Sequence, residues 1–126
     1  MTYNTPPNRN LPIVVNKEKE AYKFWQALHR NFPKIERFGL GQKIDLVFLD
    51  ILGLTYTASY LPPEQKIIIL EKIIPRFDIL KFFIQIAWEN KLIHTNKYAE
   101  LSQKLEEIGC MLGGWKKGLL QKKTPI

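Results

Sequence analysis

Apolar residues recur every three or four positions along most of this chain, which is the spacing of amphipathic helices. The first run predicts a helix over about residues 16–31, with Asn16 as its N-cap. The apolar face of this helix consists of Ala21, Tyr22, Trp25, Leu28 and Phe32. Residues 1–14, which carry three prolines and several asparagines, indicate an extended or disordered lead.

The second run predicts one helix from about Glu36 to Tyr60. Its apolar positions alternate steps of four and three residues, as in a coiled-coil seam. They are Leu40, Ile44, Val47, Ile51, Leu54, Ala58 and Leu61. Pro62 and Pro63 end this helix, and Pro63 suits the first turn of the next one.

The third run, about residues 63–91, is apolar on two sides. One broad face consists of Leu70, Ile73, Ile74, Phe77, Leu80, Ile84, Ala87 and Trp88. A second, almost opposite face consists of Ile68, Ile79, Phe82, Phe83 and Ile86. Because apolar faces need cover, we expect one face to meet the bundle core and the other to meet another subunit. Pro75 lies inside this segment and is expected to kink it.

A fourth helix is predicted to begin after Thr95, a good N-cap, and to reach about Lys117 with a single apolar face. A chain of 126 residues suffices for one domain around one core. The sequence therefore predicts an all-α fold, an antiparallel up-down-up-down four-helix bundle. The bundle is expected at residues 15–118, followed by a basic tail at 119–126.

Residues suited to catalysis or metal binding are sparse. Cys110 is the only cysteine, which excludes an internal disulfide and a CxxC zinc site, and neither His29 nor His94 belongs to an HExxH pattern. We interpret Cys110 as a small filler, His29 as a core-edge residue and His94 as a turn residue with local hydrogen bonds. The sequence thus predicts no enzyme, no metal site and no cofactor.

Two glycine pairs are better explained by packing than by nucleotide binding. Gly39 and Gly41 lack the third glycine of the dinucleotide fingerprint, and no Gly-Lys-Ser/Thr follows them as in a Walker loop. We interpret this pair, and likewise Gly113 and Gly114, as positions where a neighbouring helix approaches closely.

Nothing in the sequence predicts a secretory signal or a membrane span. The N-terminus lacks a basic region followed by an apolar one, and no apolar run approaches the roughly 18 residues of a span. We expect a cytoplasmic protein.

The charge balance favours an anionic partner, because 19 Lys and Arg residues face 12 Asp and Glu residues, a formal net charge of +7. Lys19, Lys23 and Arg30 form one stripe opposite the apolar face of the first helix, and Lys34 and Arg37 continue it. Spaced bases on rigid helices can follow phosphates without reading nucleobases. Any one lysine is most often a solvated side chain, whereas the set predicts polyanion binding.

Three further bases complete the candidate set. Lys116 and Lys117 lie near the far end of the fourth helix. Lys81 lies inside the broad apolar face of the third helix, where an unpaired buried ammonium would be costly. We expect its ammonium to snorkel to the rim, to pair across a subunit interface or to face a groove that binds an anion.

Two stretches resemble a known group of small bacterial four-helix proteins. Residues 31–41, NFPKIERFGLG, resemble the FPK-x-E-R-[YF]-x-L-G entry to the second helix of this group. The group contains the products of 23S rRNA intervening sequences and the accessory variability determinant (Avd) of diversity-generating retroelements. Residues 108–115, IGCMLGGW, resemble the IG-x-[ML]-LGGW ending of the accessory determinant, and residues 77–83 its third helix. The similarity covers about residues 17–117.

The resemblance implies a non-catalytic bundle that assembles as a barrel-shaped homopentamer. Its basic surface would bind nucleic acid and the reverse transcriptase of the element. That complex copies a template RNA into adenine-mutagenised cDNA, which replaces a variable region of a target gene. The same resemblance assigns Lys81 to a basic position of the third helix. Gln85 and Cys110 depart from the pattern, since a second base and an arginine are expected there.

The expected partners are thus a reverse transcriptase, template RNA or cDNA and further copies of this chain, with no membrane. The candidate contacts are Lys19, Lys23, Arg30, Lys34, Arg37, Lys81, Lys116 and Lys117. Two alternatives stay open. One is a structural or scaffolding oligomer of the 23S rRNA intervening-sequence type, without a reverse-transcriptase partner. The other is a basic helical module at a membrane surface.

Overall fold

Four long helices and one single-turn helix make up almost all of residues 11–123, the part of the chain that this computed structural model describes. The helices are α1 (Ile13–His29), α2 (Lys34–Phe38), α3 (Leu40–Ala58), α4 (Pro63–Glu89) and α5 (Thr95–Lys123). No strand occurs within these residues. The all-α class predicted from the periodicity is confirmed.

The start of α1 differs from the prediction. The helix begins at Ile13, Pro12 stands at its N-cap, and the N–H of Val15 donates to the carbonyl of Pro12 at 3.0 Å. The prediction that Asn16 caps the helix is wrong. Val14 and Val15 are 5% and 2% exposed, so burial of their side chains stabilises the additional turn. Of the predicted lead at residues 1–14, residues 1–10 lie outside the described part of the chain.

The predicted helix from Glu36 to Tyr60 is in fact two helices. Gly39, between α2 and α3, adopts φ −101° and ψ −110°, which is not helical. The close approach predicted for Gly41 is confirmed, since a Cβ there would lie 2.5 Å from Nε2 of His29. Gly113 and Gly114 do not share this property, because a Cβ at either would have no described atom of another helix within 4 Å.

The later helices lie close to their predicted bounds. Pro63 is the first residue of α4, as predicted, and α4 continues on both sides of Pro75. The α5 helix includes Thr95 itself, whereas the prediction placed its start after this residue. It also extends past the predicted end at Lys117 as far as Lys123, so residues 119–123 are helical. Residues 124–126 of the predicted tail lie outside the described part.

The core forms where α1, α3, α4 and α5 face one another, with contacts between α1 and α3, α1 and α5, α3 and α4, and α4 and α5. All but one of the buried residues of α4 belong to its predicted broad face. These are Leu70, Ile73, Phe77, Leu80, Ile84 and Ala87; the other buried residue, Ile67, was not predicted. Trp25 of α1 and Phe48 of α3 are the largest side chains below 2% exposure.

Candidate nucleic-acid and partner surfaces

The outward face of α1 carries three of the predicted contact residues. Lys19, Lys23 and Arg30 are exposed and, at spacings of four and seven residues, share one side of the helix. Within residues 11–122, no ion pair involves any of the three. Their charges are therefore available to an external anion.

The single turn of α2 continues this exposed surface, and none of its residues is buried. Lys34 and Arg37 are exposed and form no ion pair within the described side chains. Ile35 and Phe38 are 84% and 68% exposed, which sequence reasoning missed. Helix α2 thus presents two bases and two apolar side chains to the solvent.

His29 holds α2 in place against α1. Its Nε2 lies 3.0 Å from the carbonyl oxygen of Arg37, in a hydrogen bond. The imidazole stacks on Trp25 with ring centroids 5.0 Å apart, and it meets the edge of Phe32 at 5.6 Å. The half-buried position of His29 confirms its interpretation as a core-edge residue. The backbone next to the Arg37 guanidinium is therefore anchored to the core.

Lys81 reaches the rim of the seam between α4 and α5 and pairs within its own chain. Its Nζ lies 3.7 Å from Oδ1 of Asp78 and 3.9 Å from Oε2 of Glu106. The ammonium also lies 5.5 Å from the ring centroid of Phe77, and the side chain is 37% exposed. Of the three expectations, snorkelling is confirmed, and the ammonium of Lys81 pairs with carboxylates of its own chain rather than across a subunit interface.

The remaining predicted contacts differ from each other. Nζ of Lys116 lies 3.9 Å from Oε2 of Glu71, again across the α4–α5 seam. Lys117 is exposed and forms no ion pair with the described residues. The structure thus brings five of the eight predicted residues together on α1 and α2, and it places Lys81 and Lys116 beside carboxylates elsewhere.

Two lysines of α5 escaped the sequence analysis. The Nζ atoms of Lys97 and Lys104 lie 5.7 and 5.4 Å from the ring centroid of Phe24 in α1, within range of a cation–π contact. Their seven-residue spacing places both on the side of α5 that faces α1. That spacing was the signal that could have found them.

The core contains one carboxyl group, also missed. Glu18 is 1% exposed, and its Oε2 lies 2.9 Å from Oγ1 of Thr55. The same hydroxyl lies 2.8 Å from the carbonyl oxygen of Ile51, yet it has only one hydrogen to donate. A protonated Glu18 resolves this, because its O–H donates to Thr55 and Thr55 donates to Ile51. Burial raises the pKa of Glu18 to about 8, in agreement with that arrangement.

Part of the second apolar face of α4 is exposed in the described part of the chain, although Phe83 packs against the core. Ile68, Ile79 and Phe82 are 52%, 47% and 57% exposed. On the neighbouring helix α3, Leu46 and Leu49 are 55% and 44% exposed. These five residues define the α3–α4 apolar face. An apolar surface of this kind is typical of a protein contact.

The described residues contain no candidate metal centre, because no three His, Cys, Asp or Glu side chains are grouped as a metal ion would require. None of the helices in residues 11–123 combines the length and the apolar composition needed to cross a membrane.

Comparison with known families agrees with the geometry. A family model described as bAvd-like matches residues 13–119, which run from the first residue of α1 into the last turns of α5. The chain belongs to the bAvd-like family. Searches of curated proteins and of solved structures found no significant match.

One departure of this bAvd-like chain from its family pattern now has a location. Cys110, where the resemblance predicts an arginine, is exposed and lines a small groove of about 140 Å³ on the α4–α5 seam. Lys81, Asp78 and Glu106 line the same groove. Between α4 and α5, the arginine that the resemblance predicts at position 110 is therefore absent, and the nearby Lys81 already pairs with Asp78 and Glu106.

Proposed function

We propose that this bAvd-like chain is the non-catalytic, cytoplasmic accessory subunit of a diversity-generating retroelement. In this role it binds the reverse transcriptase and the template RNA or cDNA and thereby supports mutagenic retrohoming. The observation that carries the proposal is a set of five exposed basic residues on α1 and α2, in a member of this family, that form no ion pair with the described side chains.

The α1 stripe is suited to phosphates rather than to nucleobase edges. Lys19 and Arg30 are eleven residues apart, so the stripe spans about 16 Å at about 1.5 Å per residue. Lysine and arginine side chains spaced along a rigid helix can bind successive phosphates and so orient a nucleic-acid backbone without reading its sequence. Affinity should therefore fall steeply with salt and vary little with sequence. Lys81 and Lys116 contribute less, because carboxylates already neutralise them in part.

Assembly is the second part of the proposal. We infer that neighbouring long helices run antiparallel, since Asp50 contacts Arg76 while Lys66 contacts the carbonyl of Ala58. The α3–α4 apolar face then lies along one side of the bundle, where other copies of the chain bury it. A homo-oligomer, a pentamer by the family resemblance, would present several α1–α2 surfaces at once.

The experiment combines the purified chain with the reverse transcriptase and a short template-repeat RNA of its element. Binding is measured by fluorescence anisotropy for the RNA and by co-purification for the enzyme. The variant Lys34→Glu with Arg37→Glu should weaken RNA binding at unchanged helicity, whereas the control Lys34→Arg with Arg37→Lys should retain it. Unchanged affinity in the charge-reversed variant would remove α2 from the site.

A scaffolding oligomer without a reverse transcriptase is the second candidate, because the α3–α4 apolar face favours self-assembly whatever else the chain binds. Pull-down of the tagged chain from its host lysate separates the two functions. A reverse transcriptase recovered with one template-repeat RNA supports the retroelement role. Ribosomal RNA alone supports the scaffold.

A further inference from the structure

A groove of about 570 Å³ lies at the turn between α4 and α5. Its lining consists of Trp88, Glu89, Lys91, Ile93, His94 and Thr95. It combines a large aromatic ring, a lysine and a histidine, and the proposed function uses none of these residues.

The indole of Trp88 is held rigidly at this groove. Its ring stacks on Tyr98 with centroids 4.6 Å apart and planes 5° apart, and its Nε1 donates to Oγ1 of Thr95 at 3.1 Å. Tyr98 does not line the groove, whereas Trp88 does and is half-buried. A fixed, half-buried ring of this kind is a platform on which a second flat ring can stack at low entropic cost.

Lys91 occupies a backbone position that favours glycine. Its φ is +63°, and it follows α4 in a Schellman turn. In that turn the N–H of Lys91 donates to the carbonyl of Trp88, and the N–H of Leu92 donates to that of Ala87, both at 2.9 Å. Backbone strain retained at a lysine, where glycine would relieve it, often marks a functional position.

Lys91 and His94 are the residues of the lining that can contact a phosphate, Lys91 through its ammonium and His94 through an imidazole N–H. Lys91 forms no ion pair within residues 11–122, and His94 is exposed. The acidic residue of the lining is Glu89, whose Oε2 accepts a hydrogen bond from Nε2 of Gln85 at 3.1 Å. That bond directs one carboxylate oxygen of Glu89 toward its own helix.

We propose that this groove binds one nucleotide of a single-stranded RNA or cDNA. The nucleobase stacks on the indole of Trp88, and the adjoining phosphate lies against the ammonium of Lys91 and the imidazole of His94. The inference rests on the proposed nucleic-acid function and adds to it a contact with a nucleobase. Stacking of this kind tolerates every nucleobase, because each has a flat π-face.

The test compares two fluorescein-labelled octamers of equal charge, oligo(dT) and an octamer of abasic deoxyribose phosphates. Wild-type protein should bind oligo(dT) more tightly. Trp88→Leu should lower oligo(dT) affinity roughly fivefold to a hundredfold and leave the abasic octamer within about twofold. The control Lys23→Glu, on the α1 stripe, should weaken both octamers equally.

Equal affinity of wild-type protein for the two octamers would overturn the inference and leave the phosphate-binding function intact. So would a Trp88→Leu variant that loses both equally. If wild-type protein bound neither octamer, the nucleic-acid function itself would fail with it.

A second variant guards against loss of fold in Trp88→Leu. Lys91→Gly relieves the positive φ, so its melting temperature should rise by a few degrees, while its affinity for both octamers falls roughly threefold to tenfold. A residue with a purely structural role would not give a more stable protein that binds more weakly. Wild-type affinity in Lys91→Gly would overturn the role of Lys91 and with it the proposed phosphate contact.

Discussion

The basic residues on α1 and α2 differ from those between α4 and α5 in whether they have carboxylate partners. On α1 and α2, five bases face the solvent without an acidic partner among the described side chains. On the inner side of α1, Glu18 is buried with a hydroxyl as its partner rather than a cation. At the seam, Lys81 and Lys116 each lie within 4 Å of a carboxylate of the facing helix.

The difference shows that counting bases along a sequence does not identify a binding surface. Lys23 and Lys81 contribute equally to the net charge of +7, yet among the described side chains Lys81 has carboxylate partners and Lys23 has none. The helix packed alongside decides which bases are free. Uncompensated charge should therefore dominate both ligand binding and the pH dependence of stability. Of the four predictions below, the first, second and fourth test this, and the third tests the packing beside α2.

The largest effect is expected from Glu18. Because its pKa is about 8 in the folded protein against an ordinary value of 4.5, the folded state holds a proton that the unfolded state has lost between these two values. The free energy of unfolding should fall as pH rises through this window, by at most roughly 5 kcal/mol at about 1.4 kcal/mol per pH unit. Urea unfolding at several pH values measures it.

The variant Glu18→Gln removes the titrating proton and preserves the shape of the neutral acid. Its stability relative to wild type should rise from pH 4.5 to 8 and level off outside that window. The exposed neighbour Glu20 supplies the control, since Glu20→Gln should keep the wild-type profile. If the free energy of unfolding varied with pH in the same way for wild type and Glu18→Gln, Glu18 would not be the titrating group.

The second effect concerns the α1 stripe. Reversing charge with Lys19→Glu and Lys23→Glu should lower affinity for a short RNA roughly tenfold to a hundredfold at low salt. The slope of log affinity against log salt should fall by about 2, one for each lost phosphate contact. The charge-retaining pair Lys19→Arg and Lys23→Arg should bind as wild type does. A salt slope that stays unchanged would place the phosphates elsewhere.

The third effect tests whether α2 depends on its anchor. Gly41→Ala places a Cβ 2.5 Å from Nε2 of His29, so it should destabilise the protein by about 1–3 kcal/mol. In a His29→Ala background the same substitution should cost less. Some destabilisation should remain in that background, because the carbonyl oxygen of Glu36 also lies 2.9 Å from the new Cβ.

Thermal unfolding of the single and double variants measures the coupling between His29 and Gly41, which should be about 1 kcal/mol. Gly118→Ala, where a Cβ meets no atom within 4 Å, is the control that should not destabilise. Additive effects of the His29 and Gly41 substitutions would show that the imidazole of His29 does not crowd a Cβ at residue 41.

The features predicted correctly are those that depend on nearby residues. The spacing of apolar residues gave the helical class, and it separated the buried face of α4 from the exposed face containing Ile79 and Phe82. Both follow from the period of a helix alone. The start of α1 depended instead on burial of Val14 and Val15 against distant helices, which a local cap such as Asn16 does not reveal.

The candidate site was predicted less well because pairing acts between helices. Lys81 and Glu106 are 25 residues apart, and no local pattern joins them. The break at Gly39 lies beside a contact between His29 and Gly41, on different helices. Bases on one outward stripe were predictable, whereas the availability of each base required the packed neighbours.

The smallest effect is expected at the seam. Replacing Lys81 and Lys116 by glutamine removes two cations that Glu106 and Glu71 already partner at 3.9 Å. Affinity for a short RNA should change by less than about threefold, because a paired ammonium releases few counterions. Stability should fall by less than about 1 kcal/mol, as for exposed ion pairs.

Glutamine at the same two positions also frees Asp78, Glu106 and Glu71, so part of any loss of affinity comes from repulsion between RNA and these carboxylates. The variant that adds Asp78→Asn, Glu71→Gln and Glu106→Gln separates the two causes and should bind as wild type does. A large loss in both variants would mean that RNA displaces the carboxylates and binds the seam. The contrast between the two regions would then disappear, because Lys81 and Lys116 would be as available as Lys19 and Lys23.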